Sequence, residues 1–177
     1  MIMTHIYKAI SVFIERRRIK RDLLFFSVAS AITALDQITK TLVRMYLPVG
    51  ESMPEDGFVR LTHVTNTGAA FGILQGQGSL ILISTFIGVA AILIYYVFPP
   101  VSSNVLGISL GLQLGGAVGN LLDRVRYGHV TDFFDLRVWP VFNVADSSIV
   151  VGVTLLAALV LLSERRERAS RGEAHEH

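Results

Sequence analysis

A chain of 177 residues has room for one domain, or at most two. Its residues are 51% hydrophobic and only 17% charged, and its mean hydropathy of +0.53 is too high for an ordinary soluble domain. The absence of cysteine excludes a disulfide framework, cysteine-ligated zinc and thiol chemistry. The formal net charge is +2, and basic residues cluster near both ends, beside long apolar runs. Such clusters can bind nucleic acid, but their position beside apolar runs indicates a membrane protein.

The N-terminal segment, residues 1–22, carries apolar residues at helical spacing and ends in a basic cluster. The apolar positions are Ile2, Ile6, Ile10 and Phe13. This pattern is typical of an amphipathic helix at a membrane interface, and a disordered tail is the alternative. The basic head, short apolar stretch and A-S-A at residues 29–31 also resemble a cleavable signal peptide. Because apolar residues continue as far as Val43, a membrane-spanning helix is the favoured interpretation.

Four stretches approach or reach the roughly 20 apolar residues that cross a bilayer. They are about Leu23–Tyr46, Leu80–Phe98, Val101–Leu122 and Ala145–Ser163. The predicted fold class is therefore an all-α membrane bundle of four transmembrane helices, forming one domain over residues 1–177 with a tail at 164–177. Four spans place both termini on one side, and the terminal basic clusters assign that side to the cytoplasm. The connections at about 47–79 and 123–144 are then outside.

The two outer connections contain strand signals. The stretch Phe58–Thr65 is rich in β-branched and aromatic residues and lies between turn-forming residues. The stretch His129–Val144 has a similar composition. We therefore expect a small extracytoplasmic β region beside the helices.

Two features of the spans concern helix packing. Asp36 and Lys40 are four residues apart, so they project from one face of the first span, and we interpret them as a structural ion pair near the outer interface. Glycines recur at every fourth residue of the third span, which favours close approach of another helix or a lipid chain. These are Gly107, Gly111, Gly115 and Gly119, and Gly116 breaks their register.

Polar residues gather at the outer ends of the predicted spans. They are Asp36, Asn66, Asn120, Asp123, Arg124, Asp132, Asn143 and Asp146. Several of these carboxylates lie among Phe, Trp and Val, and a carboxylate in such surroundings has to be paired, hydrogen-bonded or protonated. The clustering at one face indicates a site rather than random scatter.

Clustered aspartates at a membrane face have more than one interpretation. The chain has no cysteine, and the predicted outer side has only His63 and His129, so few residues are available there for a nucleophile–histidine triad. Paired carboxylates can share one proton, so that one acts as a base on water while the other polarises a carbonyl. Alternatively, three or four aspartates can hold Mg²⁺ for phosphoryl or phosphatidyl transfer. A channel is a third hypothesis, but the uncharged second span leaves no polar path across the bilayer.

At these residues the sequence resembles the lipoprotein signal peptidases, the signal peptidase II family. Five blocks of that family's pattern occur in order, from the first span to the last. They are "DQITK" at 36–40, "NTGAAFG" at 66–72, "GGAVGNLLDR" at 115–124, "VTDFFD" at 130–135 and "FNVADS" at 142–147. Five blocks in order, with spans between them, are a specific signal where one alone would be weak.

The resemblance implies an aspartic endopeptidase of the bacterial cytoplasmic (inner) membrane, without a cofactor or metal. It would act as a monomer and cut prolipoproteins just before a diacylglyceryl-modified cysteine, and globomycin would inhibit it. The catalytic pair carried over from the family is Asp132 and Asp146. Asp123 matches a supporting position. Positions that match the family's substrate and inhibitor contacts are Asn66, Gly116, Asn120, Arg124, Val130 and Asn143.

Two expectations concern the stretch between the catalytic blocks. Many members of the family have a few more residues around a tryptophan here, and we expect Trp139 in "LRVWPV" to take that place. Asp135 lies three residues after Asp132, so in a strand it points to the opposite face. We therefore expect Asp135 to cap or solvate the strand end and to take no part in the chemistry.

Overall fold

The structure, a computed structural model, describes residues 2–68, 78–99 and 103–173. Within these ranges the chain forms four helices and three short strands. In chain order they are α1 (Ile2–Tyr46), β1 (Ser52–Met53), β2 (Arg60–Asn66), α2 (Gly78–Val97), α3 (Asn104–Tyr127), β3 (Val130–Asp135) and α4 (Val144–Glu173). The end of the "NTGAAFG" block, at 69–72, lies outside the described residues.

Three helices of the described chain are long and apolar enough to cross a membrane. They are Arg18–Tyr46, Asn104–Tyr127 and Val144–Arg165. The described apolar part of α2, Ile81–Val97, is shorter. The prediction of a helical membrane protein with a small β region is confirmed, and three of the four predicted spans have the length of a span in the structure.

Helix α1 includes the N-terminal segment. No glycine or proline interrupts the sequence between residues 2 and 46, so no residue breaks the helix before Pro48. Residues 2–22 therefore belong to the same helix as the first span. The side chains of residues 2–17 lie outside the description, so the apolar face predicted for them is not tested.

The glycine stripe of α3 lets α1 approach its backbone. A Cβ atom added at Gly111 would lie 2.7 Å from the carbonyl oxygen of Phe25, and one added at Gly115 would lie 2.7 Å from that of Ala29. Real Cβ atoms do not approach backbone oxygens so closely, so a side chain at either position would push the helices apart. The interpretation of the stripe as a helix-packing surface is confirmed.

Apolar packing connects the helices on both sides of the stripe. Phe25 is fully buried with Leu106 and Leu110 of α3. Its ring stacks on that of Tyr96, with the centroids 4.3 Å apart, which brings α2 against the same cluster. Lipid tails are as apolar as these side chains, so within a membrane the cluster stabilises the bundle through van der Waals packing.

The small β region is an antiparallel sheet in the order β1-β2-β3. Strand β2 pairs with β3 so that Val64 faces Asp132 and Asn66 faces Val130. The prediction for His129–Val144 was too long, because only Val130–Asp135 is a strand. Arg137 has a positive φ of 62° and Pro140 follows it, so the chain leaves the strand and returns to form a single bridge between Phe134 and Phe142.

Candidate active site

The two predicted catalytic aspartates lie on different elements and meet in one cleft. Asp132 is the third residue of β3 and Asp146 the third residue of α4. Both line a cavity of about 610 Å³. Other residues predicted for the site line the same cavity, together with Trp139 between the two catalytic blocks. They are Asn66, Asn120, Arg124 and Val130.

Asn143 holds Asp146 at the start of α4. The Asn143 side-chain oxygen accepts a hydrogen bond from the N–H of Asp146 at 3.0 Å. In return, the Asp146 carboxylate accepts one from the N–H of Asn143 at 3.3 Å. This reciprocal pair is a capping box, with Asn143 as the N-cap and Asp146 at the third helical position. Asp146 is thereby fixed where the helix dipole favours a negative charge.

Three asparagine amides join the aspartates to each other. Asn143 donates to Asp132 Oδ1 at 2.6 Å, and Asn66 donates to Asp132 Oδ2 at 2.9 Å. Asn120 donates to Asp146 Oδ1 at 2.8 Å. The Asn143 amide also donates to the Asn120 oxygen at 3.2 Å, so the amides form one chain between the carboxylates. Each carboxylate therefore has its orientation set by a neutral donor.

Burial raises the pKa of Asp132 to about 7. Asp132 lines the cleft but is only 2% exposed to solvent. A buried carboxylate loses the hydration that stabilises its charge. The charge of Asp146 raises this pKa further, while the amides of Asn66 and Asn143 and the charge of Lys40 lower it. Asp132 can therefore hold a proton at neutral pH.

Beneath the cleft lies a buried layer of charged side chains, which we call the charge layer. It consists of Asp36, Lys40 and Asp123, all 0% exposed, with Arg44 at its edge. Lys40 Nζ lies 2.8 Å from Asp36 Oδ2, which confirms the predicted ion pair at i and i+4. This pair belongs to a larger charged cluster, since Lys40 Nζ also lies 3.5 Å from Asp123 Oδ2.

Arg44 and Thr131 belong to this region but were not among the predicted site residues. Arg44 Nη1 lies 3.4 Å from Asp123 Oδ1 and donates to the Thr131 hydroxyl at 3.0 Å. Arg44 follows Lys40 by four residues, as Lys40 follows Asp36, so the helical spacing was a signal for it. No comparable signal marks Thr131, whose backbone N–H also donates to Asp123 Oδ2 at 3.0 Å.

Asp135 lies apart from the dyad, in a pair of its own. It accepts hydrogen bonds from the Arg60 guanidinium and from the Thr62 hydroxyl on the neighbouring strand. The Arg60 hydrogen bonds are the main reason why the pKa of Asp135 falls to about 2, and the N–H of Arg137 adds to the effect. The expectation was that Asp135 caps or solvates the strand end. Solvation is wrong, because the side chain is buried and ion-paired, whereas capping is confirmed, because Asp135 Oδ1 accepts a hydrogen bond from the N–H of Arg137 at 2.8 Å.

Gly116 lies at a contact between two helices. A Cβ there would meet the Ala145 carbonyl oxygen, the Ser148 hydroxyl and the Ile149 side chain. The structure therefore places Gly116 in the contact between α3 and the first turn of α4, and it is not one of the residues lining the cleft. Its missing side chain brings the helix carrying Asp146 close to α3.

Comparison with known proteins agrees with these motifs. The family model of signal peptidase II matches residues 28–162. A lipoprotein signal peptidase of Halothermothrix orenii is 44% identical over 144 residues, which cover 80% of this chain and 98% of the relative. That of Moorella thermoacetica is 45% identical over 139 residues, covering 78% of this chain and 93% of the relative.

The chain belongs to the signal peptidase II family.

Solved structures give the same result for the fold of this signal peptidase II. A bacterial membrane enzyme determined by the in meso method at 2.3 Å resolution is 32% identical, with a TM-score of 0.71. The match covers 77% of this chain and 87% of that one. A second such structure, at 1.9 Å resolution, has a TM-score of 0.68 at 32% identity and covers 76% and 90%. A peptidase is thus supported, and the magnesium-dependent transferase is not.

Proposed function

We propose that this signal peptidase II removes the signal peptide from prolipoproteins by means of a carboxylate dyad, Asp132 and Asp146. The cut would fall before the diacylglyceryl-modified cysteine. The observation that carries the assignment is the meeting of two carboxylates from separate elements in one cleft, each hydrogen-bonded to asparagine amides. Family membership supplies the reaction class, and the geometry supports the choice of these two aspartates.

The difference between the two aspartates suggests their roles. Asp132, with its pKa raised to about 7, would hold the shared proton and transfer it to the scissile carbonyl oxygen as water adds. Asp146 would take a proton from water, and the resulting hydroxide equivalent would add to the carbonyl carbon. As the tetrahedral intermediate collapses, the C–N bond breaks and Asp146 returns its proton to the leaving amine. Asp132 recovers its own proton from the closing carbonyl group.

The substrate needs an apolar surface beside the dyad. A second cavity of about 490 Å³, lined mostly by apolar residues of α2, α3 and α4, shares Asn120, Arg124 and Ile149 with the cleft. We infer that apolar parts of the prolipoprotein lie there while the scissile bond reaches the dyad. Arg124, at the junction, is suited to hold substrate carbonyl oxygens.

The membrane arrangement that we propose has four spans, with α2 as the fourth. Both termini would be cytoplasmic and the dyad would lie at the outer face, because the basic clusters flank the first and last spans. We further propose that the 177 residues form one domain, that the enzyme acts as a monomer, and that globomycin blocks the cleft.

The test compares three aspartate variants on a purified prolipoprotein that carries the diacylglyceryl group. Asp132→Asn and Asp146→Asn should each abolish cleavage, since an amide can neither accept a proton from water nor share one across the pair. Asp135→Asn is the matched control, because its side chain contacts Arg60 and Thr62 and lies outside the cleft. It should keep most of the activity.

Initial rates should be compared at equal amounts of folded protein in detergent. A wild-type enzyme that does not release the signal peptide would refute the proposed function. An inactive Asp135→Asn beside an active Asp146→Asn would refute the assignment of the dyad.

A further inference from the structure

The residue before each proposed catalytic aspartate is held by a buried carboxylate. Asp36 Oδ1 accepts a hydrogen bond from the N–H of Ala145 at 3.0 Å. Asp123 Oδ2 accepts one from the N–H of Thr131, also at 3.0 Å. Ala145 directly precedes Asp146, and Thr131 directly precedes Asp132. The backbone that carries each half of the dyad is therefore tied to a different carboxylate of the charge layer.

A single ammonium group joins these two carboxylates. Lys40 Nζ lies 2.8 Å from Asp36 Oδ2 and 3.5 Å from Asp123 Oδ2. It also donates a hydrogen bond to Asn120 Oδ1 at 2.8 Å. An ammonium has three N–H donors and no acceptor, so Asp36 and Asn120 at hydrogen-bond distance and Asp123 at ion-pair distance are all suitable partners. Gln37 Nε2 also donates to Asp36 Oδ2 and to Asp123 Oδ1, at 3.2 Å each, but this amide carries no charge. Without Lys40, Asp36 would therefore have no ion-pair partner within the described residues, and Asp123 would keep Arg44.

The third contact of Lys40 reaches the dyad through one side chain. Because the ammonium can only donate, it turns the Asn120 oxygen toward itself and the Asn120 nitrogen away. That nitrogen donates to Asp146 Oδ1 at 2.8 Å. The same oxygen accepts a hydrogen bond from the Asn143 amide, so Lys40 and Asn143 together orient the amide of Asn120 that contacts Asp146.

We propose that Lys40 is a positioning residue, which holds the two halves of the dyad in register through Asp36, Asp123 and Asn120. Lys40 lines neither the cleft nor the apolar cavity beside it, so it acts on the reaction through these neighbours. This inference rests on the proposed function of the dyad. It goes beyond an ion pair that merely stabilises the helices, because it makes the kinetics of the folded enzyme depend on Lys40.

The test requires a folded protein without the ammonium. Lys40→Met alone leaves Asp36 buried and unpaired, which destabilises a fold. The double variant Lys40→Met/Asp36→Asn removes one positive and one negative charge and leaves an amide oxygen that can still accept the N–H of Ala145. Its matched control is Arg60→Met/Asp135→Asn, which removes a partly buried ion pair of the sheet away from the cleft.

Three quantities are measured for both double variants: the unfolding midpoint in detergent, kcat and KM for the lipid-modified prolipoprotein, and the pH profile of kcat/KM. For Lys40→Met/Asp36→Asn we expect a folded protein with kcat about 100-fold lower, which is the effect of a displacement of about 1 Å in a catalytic group. KM should change by less than about threefold, since the residues of the cleft are intact. The control should keep wild-type kcat and KM.

The pH profile separates positioning from stability. The charge of Lys40 lowers the pKa of Asp132, so its removal should move the alkaline limb of the profile to higher pH, and the control should leave that limb in place. A folded Lys40→Met/Asp36→Asn enzyme with kcat within threefold of the control and an unmoved profile would overturn the proposal. A double variant that cannot fold would also overturn it, by assigning Lys40 to folding. A wild-type enzyme that does not cut would instead overturn the proposed function.

Discussion

Asn143 combines two roles that can be separated by mutation. Its side-chain oxygen caps α4, and its amide nitrogen donates to Asp132. Asn143→Ala should lose about 1 kcal/mol from the missing cap. It should lose a further 1–3 kcal/mol, roughly, because the buried oxygen of Asp132 is left without that donor. We therefore expect the free energy of unfolding to fall by about 2–4 kcal/mol and cleavage to be lost.

Asn143→Ser tests the two roles independently. Serine is as good an N-cap as asparagine, so this variant should recover the capping contribution of about 1 kcal/mol. Its side chain is too short to keep the bond to Asp132, so activity should remain low. The assay is denaturant unfolding in detergent followed by cleavage of the lipid-modified prolipoprotein at matched folded protein. If Asn143→Ser cuts at the wild-type rate, the amide does not orient the dyad and the reasoning fails.

Three further predictions concern pH, metal and topology. Folding raises the pKa of Asp132 from its ordinary value of 3.8 to about 7, so proton binding stabilises the folded state fully at pH values below 3.8. Both this stabilisation and kcat/KM should decline as the pH rises through about 7; a profile that is flat from pH 6 to 8 would contradict it. Cleavage should survive EDTA, whereas loss on chelation with recovery by Mg²⁺ would favour a metal site. Single cysteines placed by Glu55→Cys and Ser170→Cys in this cysteine-free chain should label from opposite sides of the membrane, and labelling from one side would refute the four-span topology.

Local patterns in the sequence were sufficient for the elements and for most of the site. Apolar runs predicted the long helices, because a helix in a membrane depends on its own composition and length. The glycine spacing predicted a packing surface, since residues four apart share a helix face. The spacing of Asp36 and Lys40 predicted their ion pair for the same reason, and the ordered motifs indicated the family and predicted the dyad.

Contacts between distant segments were decided by the tertiary structure. Lys40 contacts Asn120, 80 residues later, and Asp36 binds the N–H of Ala145, 109 residues later. No periodicity encodes such pairs, because they depend on how the helices cross and how closely Gly116 allows α4 to approach α3. Asp135 is a further example. The alternation of side chains along β3 predicted that Asp135 faces away from Asp132, but its partner Arg60 is determined by the register of β2 against β3. Sequence thus predicted the reacting groups, and only packing showed which buried charges contact the backbone beside them.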